Sequence, residues 1–180
     1  MGNDSVWSNI FRNRRSESEE AQAIRKVPIF ENLSPKEITA VEKLIHKRSY
    51  VTDEEIFREK DPGGGMYIIM DGKVSIVKNY GGNHGQTLAT LEDGDFFGEI
   101  ALLDESPRTA TAISLSDSMI LGFYRTDLYE LVDRRPKLAV KIIVNLARVV
   151  SERLRHSNAN AQELREQLAA FEENSSESTA

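Results

Sequence analysis

The chain has no cysteine, which excludes disulfides and thiolate metal sites. Its three histidines, at positions 46, 84 and 156, are scattered and make no metal-ligand spacing. No apolar run approaches the ~20 residues that a helix needs to cross a bilayer, and no secretory h-region follows the start. These absences point to the cytoplasm. Positive charge is also short: 23 Lys and Arg stand against 29 Asp and Glu, a formal net charge of -6. That balance disfavours broad nucleic-acid binding, although a local basic patch is compatible with it. No Ser-His-acid set, metal cluster or paired-carboxylate arrangement stands out, so an enzyme is the weaker expectation. A chain of 180 residues suits one domain with extensions.

Many short strands with Gly-rich turns are present instead. From Lys47 onward, β-prone runs alternate with turn residues at 48–52, 55–59, 65–70, 73–78, 86–91, 96–97, 109–114 and 119–124. That pattern predicts a roll or barrel. Asp71-Gly72 reads as a tight hairpin turn. Gly63-Gly64-Gly65 is not followed by Lys-Ser or Lys-Thr, so it reads as a flexible hairpin tip and not as a nucleotide-hydrolysing loop. Helices are expected at 22–27, after a Ser34 cap with Pro35 at the first position and Glu37 three residues on, at 125–133, and from Pro136 onward.

The stretch from Gly94 to Ala112 is the chemically distinctive one. It contains Gly98-Glu99-Ile100-Ala101-Leu102-Leu103 and then Pro107-Arg108-Thr109-Ala110. By residue type alone it reads either as an acidic hairpin loop with a solvated Arg, or as an anion cradle. In the second reading, backbone N–H groups of a one-turn helix and the guanidinium of Arg108 share an anionic ligand. Six acidic residues between Glu92 and Glu105 would disfavour highly charged anions there.

Phe97-Gly98-Glu99-Ile100-Ala101-Leu102-Leu103 with Pro107-Arg108-Thr109-Ala110 resembles the phosphate-binding cassette of cyclic nucleotide-binding domains. Pro28 to Ser34 and Tyr67-Ile68-Ile69 with Gly72-Lys73-Val74 resemble two further motifs of that family, and the pattern runs from about Ile24 to Leu154. The resemblance implies a mainly β fold: a jelly roll with N-terminal helices and a long C-terminal helix. It implies a non-catalytic sensor of a 3′,5′-cyclic nucleotide, with no resident cofactor. Arg108 would pair with the cyclic phosphate, and Glu99 would accept from the ribose 2′-hydroxyl. Backbone donors around Gly98, Ile100, Ala101 and Thr109 would complete the site, with Thr109 adding its hydroxyl and with Ala101 and Ala110 small enough for close approach. Arg153 falls where catabolite-activator-type members place a base-contacting hydroxyl residue; its guanidinium would stack on the purine or bond to its edge, or else face solvent. Thr109 does not decide the base; the bacterial look of the architecture favours cyclic AMP over cyclic GMP.

The resulting organisation is an N-terminal arm at 1–20, a cyclic nucleotide-binding domain at 21–155, a helical extension at 156–171 and a disordered tail at 172–180. Trp7, Ile10 and Phe11 give the arm one apolar helical face, which reads either as a mobile arm with a few apolar residues or as a docking segment for a partner protein or another subunit, with a membrane anchor the weaker third reading, and Val6 breaks the myristoylation pattern begun by Met1-Gly2. The stripe of Leu138, Ile142, Leu146 and Val149 continues weakly through Leu154, Ala161, Leu164, Leu168 and Phe171. A homodimer through this helix, parallel and coiled-coil-like, is the economical expectation. A monomer and an unidentified effector protein are the alternatives. No helix-turn-helix follows, so the reading is a stand-alone sensor without a nucleic-acid partner or membrane span. A competing reading is an interaction scaffold with a vestigial pocket.

Overall fold

The computed structural model describes residues 17–81 and 85–177, with the side chains of residue 170 and residues 172–177 outside that description. The expected docking face of Trp7, Ile10 and Phe11 lies outside the described residues. The described residues begin with α1 (Glu19–Lys26), a 3-10 turn (Pro28–Phe30) and α2 (Pro35–Glu42). Eight strands follow: β1 (His46–Tyr50), β2 (Glu55–Phe57), β3 (Gly65–Asp71), β4 (Val74–Lys78), β5 (Gln86–Leu91), β6 (Phe96–Phe97), β7 (Thr111–Ser114) and β8 (Ser118–Tyr124). Then come α3 (Arg125–Arg134) and α4 (Pro136–Glu177). The strands form two four-stranded sheets, β1-β8-β3-β6 and β2-β7-β4-β5, with every pairing antiparallel. This is the mainly β jelly roll with flanking helices that the sequence predicts.

Strand periodicity divides the core into two. On β3, Met66 and Ile68 face the helices, while Ile69 turns into the roll beside Val74 and Ile120. The helical side is the larger: Ile24, Phe30, Ile38, Val41, Ile142 and Leu146 pack with Phe123, which meets Phe30 edge-on at 5.7 Å. The Ser34 capping box forms as expected, with the Ser34 side chain accepting from the Glu37 N–H and Glu37 accepting from the Ser34 N–H. Among the described residues, no helix is long and apolar enough to cross a membrane.

Three expectations change. The acidic run assigned to the arm is partly the first turn of α1: Ser18 caps it and accepts from the Ala21 N–H, and Glu19 and Glu20 complement the helix dipole. The Gly63–Gly65 run is not a flexible tip. Gly63 and Gly65 are buried, and a Cβ on Gly65 would lie 2.5 Å from the Phe123 carbonyl oxygen, so the backbone there is packed against β8. The segment expected to be a disordered tail from residue 172 is helical as far as Glu177, and residues 178–180 lie outside the described residues. Pro136 opens this helix and no later Gly or Pro interrupts it, so nothing local stops propagation.

Candidate ligand-binding site

β6 delivers the chain to Gly98, which adopts φ 73° and turns it into a 3-10 helix, Glu99–Leu102. Glycine is required here for two reasons. The left-handed backbone disfavours side chains, and a Cβ would stand 2.6 Å from Nη1 of Arg108. The leading N–H groups of the short helix have no acceptor within it. The segment after it returns to β7 through Arg108, whose backbone is pinned to the β2–β3 loop. Its N–H donates to the Asp61 carbonyl and its own carbonyl accepts from the Lys60 N–H, both at 2.8 Å.

The Arg108 side chain is only 8% exposed. Nη2 donates to the Gly65 carbonyl at 2.8 Å and Nη1 to the Gly98 carbonyl at 3.3 Å. The guanidinium lies over Phe57, 4.1 Å from the ring centroid, with Tyr67 at 5.5 Å. Nε is buried without a hydrogen-bond partner. Among the described residues, no carboxylate forms an ion pair with Arg108. Burial pulls its pKa below the usual arginine value, partly countered by Tyr67 and Asp61. An arginine nevertheless stays charged at such a site. A buried cation without a carboxylate ion-pair partner among the described residues is suited to an anionic ligand.

Glu99 is 1% exposed and is held by Arg153 of α4, whose Nη1 lies 2.9 Å from both carboxylate oxygens. Nη2 of Arg153 also donates to the Phe96 carbonyl at 3.2 Å, and the guanidinium lies 4.9 Å from the Phe96 ring centroid. Arg153, expected to read the base, thus spends its fork on Glu99 and the β6 backbone. Its face still borders the cavity.

That cavity measures about 620 Å³, a size suited to a small organic ligand. All eight expected residues line it: Gly98, Glu99, Ile100, Ala101, Arg108, Thr109, Ala110 and Arg153. Phe57, Ile76 and Leu91 add apolar lining. Ile100 is 52% exposed at the rim, and the Thr109 carbonyl accepts from Lys78 Nζ at 2.6 Å.

Several contributors escape sequence reasoning. Gly65 acts through its carbonyl and Phe57 through its ring face, and neither carries a motif; the Gly63–Gly65 run was the available signal. Arg125 donates to the Asp104 carbonyl at 2.9 Å and to the Ala101 carbonyl at 3.4 Å, tying α3 to the cassette. A cation at the N-terminus of a helix opposes the dipole, and that oddity was the only hint in the sequence.

Residues 47–135 match the family model described as the cyclic nucleotide-binding domain. The cyclic AMP receptor protein of Thermus thermophilus is 34% identical over 146 residues, covering 81% of this chain and 63% of that protein. A CRP-like cAMP-activated global transcriptional regulator of Mycobacterium tuberculosis is 27% identical over 143 residues, covering 79% of this chain and 62% of the relative. The crystal structure of the Thermus thermophilus catabolite activator protein aligns with a TM-score of 0.68 and 33% identity, covering 77% of this chain and 63% of that one. The chain therefore spans less than two thirds of the length of these relatives. All of the cavity lining except Arg153 falls within the matched span, and the chain belongs to the cyclic nucleotide-binding domain family.

Proposed function

We propose that this chain is a non-catalytic sensor that binds a 3′,5′-cyclic nucleotide, with cyclic AMP favoured over cyclic GMP, and relays occupancy through α4 and the N-terminal arm to a partner protein. The observation that carries the reading is Arg108: buried, ringed by aromatic faces and carbonyls, with Nε unsatisfied and no carboxylate opposite it. A cyclic phosphate carries one negative charge and presents oxygens that a guanidinium fork can bind. The apolar lining of Phe57, Ile76 and Leu91 suits a sugar and purine, and Glu99 supplies an acceptor for a ribose hydroxyl. The preference for cyclic AMP rests on the bacterial relatives, whose names refer to that nucleotide. The relay rests on Arg153, the side chain through which α4 grips the cavity's carboxylate.

Titration calorimetry with cyclic AMP, cyclic GMP and 5′-AMP tests the reading. Cyclic nucleotides should bind and the linear monophosphate should bind far more weakly. Replacing Arg108 with Ala should weaken binding by ~100-fold or more, since a charge-assisted phosphate contact is worth about 3 kcal/mol. Lys should not restore it, because an ammonium cannot reproduce the planar fork. Absence of binding by the parent chain, or equal affinity in the Arg108→Ala chain, would show the cavity to be vestigial and favour a scaffold.

A further inference from the structure

α3 begins without a loop: β8 ends at Tyr124 and the helix starts at Arg125. The Arg125 N–H donates to the Gly64 carbonyl at 2.8 Å. Its guanidinium reaches back into the cassette, where Nη1 donates to the Asp104 carbonyl at 2.9 Å and to the Ala101 carbonyl at 3.4 Å. Both carbonyls stand at the trailing end of the Glu99–Leu102 helix. Among the described residues, the carboxylate paired with Arg125 is Glu105 at 3.6 Å, an exposed side chain. Such a pair adds little, so the carbonyls fix the guanidinium. A cation in the first turn of α3 opposes the helix dipole, and that cost is borne for contacts outside the helix.

Arg108 and Arg125 bridge the same two segments. Arg108 holds the Gly98 carbonyl ahead of the cassette helix and the Gly65 carbonyl of the glycine run. Arg125 holds Ala101 and Asp104 at the other end of that helix, and Gly64 of the same run. The run packs directly on the cassette. A Cβ on Gly63 would stand 2.9 Å from the Ser106 carbonyl oxygen and 3.0 Å from the Ala101 Cβ. The cassette helix has four residues, ~8 Å at the rise of a 3-10 helix. Gly64 and Gly65 are neighbours in the chain.

We propose that Arg125 is a positioning residue for the cavity: it sets the cassette helix from its trailing end and, with the Gly63–Gly65 run, makes the start of α3 respond to what Arg108 holds. The role presupposes the cyclic nucleotide reading of the cavity. An anion bound by Arg108 steadies the guanidinium and with it the Gly65 and Gly98 carbonyls. The two short links carry that constraint to Gly64 and Ala101, and so to Arg125. The route is distinct from Arg153, which grips Glu99 from α4. Only Arg135 separates α3 from α4, so a turn of α3 passes into the long helix across one residue.

Hydrogen exchange read by mass spectrometry over residues 99–104 and 125–134, with and without saturating cyclic AMP, tests the role. In the parent chain the nucleotide should slow exchange in both segments by ~10-fold or more. In Arg125→Met, half-saturation should need ~10-fold more nucleotide. At saturation residues 99–104 should still slow, while residues 125–134 should change by less than ~2-fold. Arg125→Lys offers one charged donor without the fork and should give an intermediate α3 response. If the Met chain does not fold, the Lys chain decides, and a response equal to the parent's counts against the proposal. An α3 response in Arg125→Met equal to the parent's overturns it, as does a parent in which residues 99–104 slow and residues 125–134 do not. Those results leave the nucleotide reading intact. A parent that binds no cyclic nucleotide defeats that reading and this role together.

Discussion

Arg108 is positioned by groups that carry no charge. Gly65 and Gly98 offer carbonyls, Phe57 offers a ring face, and the β2–β3 loop fixes the backbone at both ends. The site therefore tolerates little change at Gly98. Gly98→Ala should cost ~1–2 kcal/mol in stability for a left-handed backbone, visible as a lower urea midpoint. It should cost proportionally more in cyclic nucleotide affinity, because the new Cβ would push Nη1 from a distance of 2.6 Å. Equal affinity by calorimetry would mean that the guanidinium is not what holds the phosphate. The charged residues of this site were legible in the sequence, since Glu99 and Arg108 lie nine residues apart in a recognisable cassette. Gly65 was not, being 43 residues from Arg108 and acting through a backbone oxygen that any residue type also possesses.

Between elements, the N-terminal helices hold α4 through polar contacts as well as packing. Asn145, buried on α4, donates to the Ile29 carbonyl at 3.3 Å and the Glu31 carbonyl at 3.0 Å. On the outside, Lys141 of α4 reaches Glu37 of α2 at 2.7 Å. That bond, with the Ser34 cap, holds the Glu37 carboxyl down to about 2 from the usual 4.5. A depressed folded-state pKa means that the stabilisation is fully present above pH 4.5 and fades as pH falls toward 2. Glu37→Gln should therefore lower the urea midpoint at pH 6, by the equivalent of under about 1 kcal/mol for a screened surface pair, and the difference should narrow below pH 4. A difference independent of pH would show that the charge of Glu37 does not carry the effect. The capping box and the alternating strands were readable because each is a local pattern. The Asn145 contacts were not, since they join positions 114 and 116 residues apart.

At the scale of the whole molecule, the roll and the overhanging helix are energetically separate. The buried side chains of α4 end at Val149. A chain shortened to end at Arg155 should melt within about 2 °C of the parent and bind the same nucleotide with similar affinity. A large loss of thermal stability would show that the overhang supports the roll. The overhang was only partly legible in the sequence. Its weak apolar stripe was visible, but the Ser- and Glu-rich end has the composition of a disordered tail, and the continuation to Glu177 reflects the absence of any residue that breaks a helix.

A helix of 42 residues without Gly or Pro after its first position also has no joint. In the proposed relay it would act as a stiff lever, with its fulcrum where Val149 leaves the core and Arg153 clasps Glu99. A tilt of about 5° there sweeps the far tip through ~4 Å, given 1.5 Å of rise per residue. Such a lever would convert an angular adjustment beside the cavity into a travel as large as an atom's diameter at its distant end.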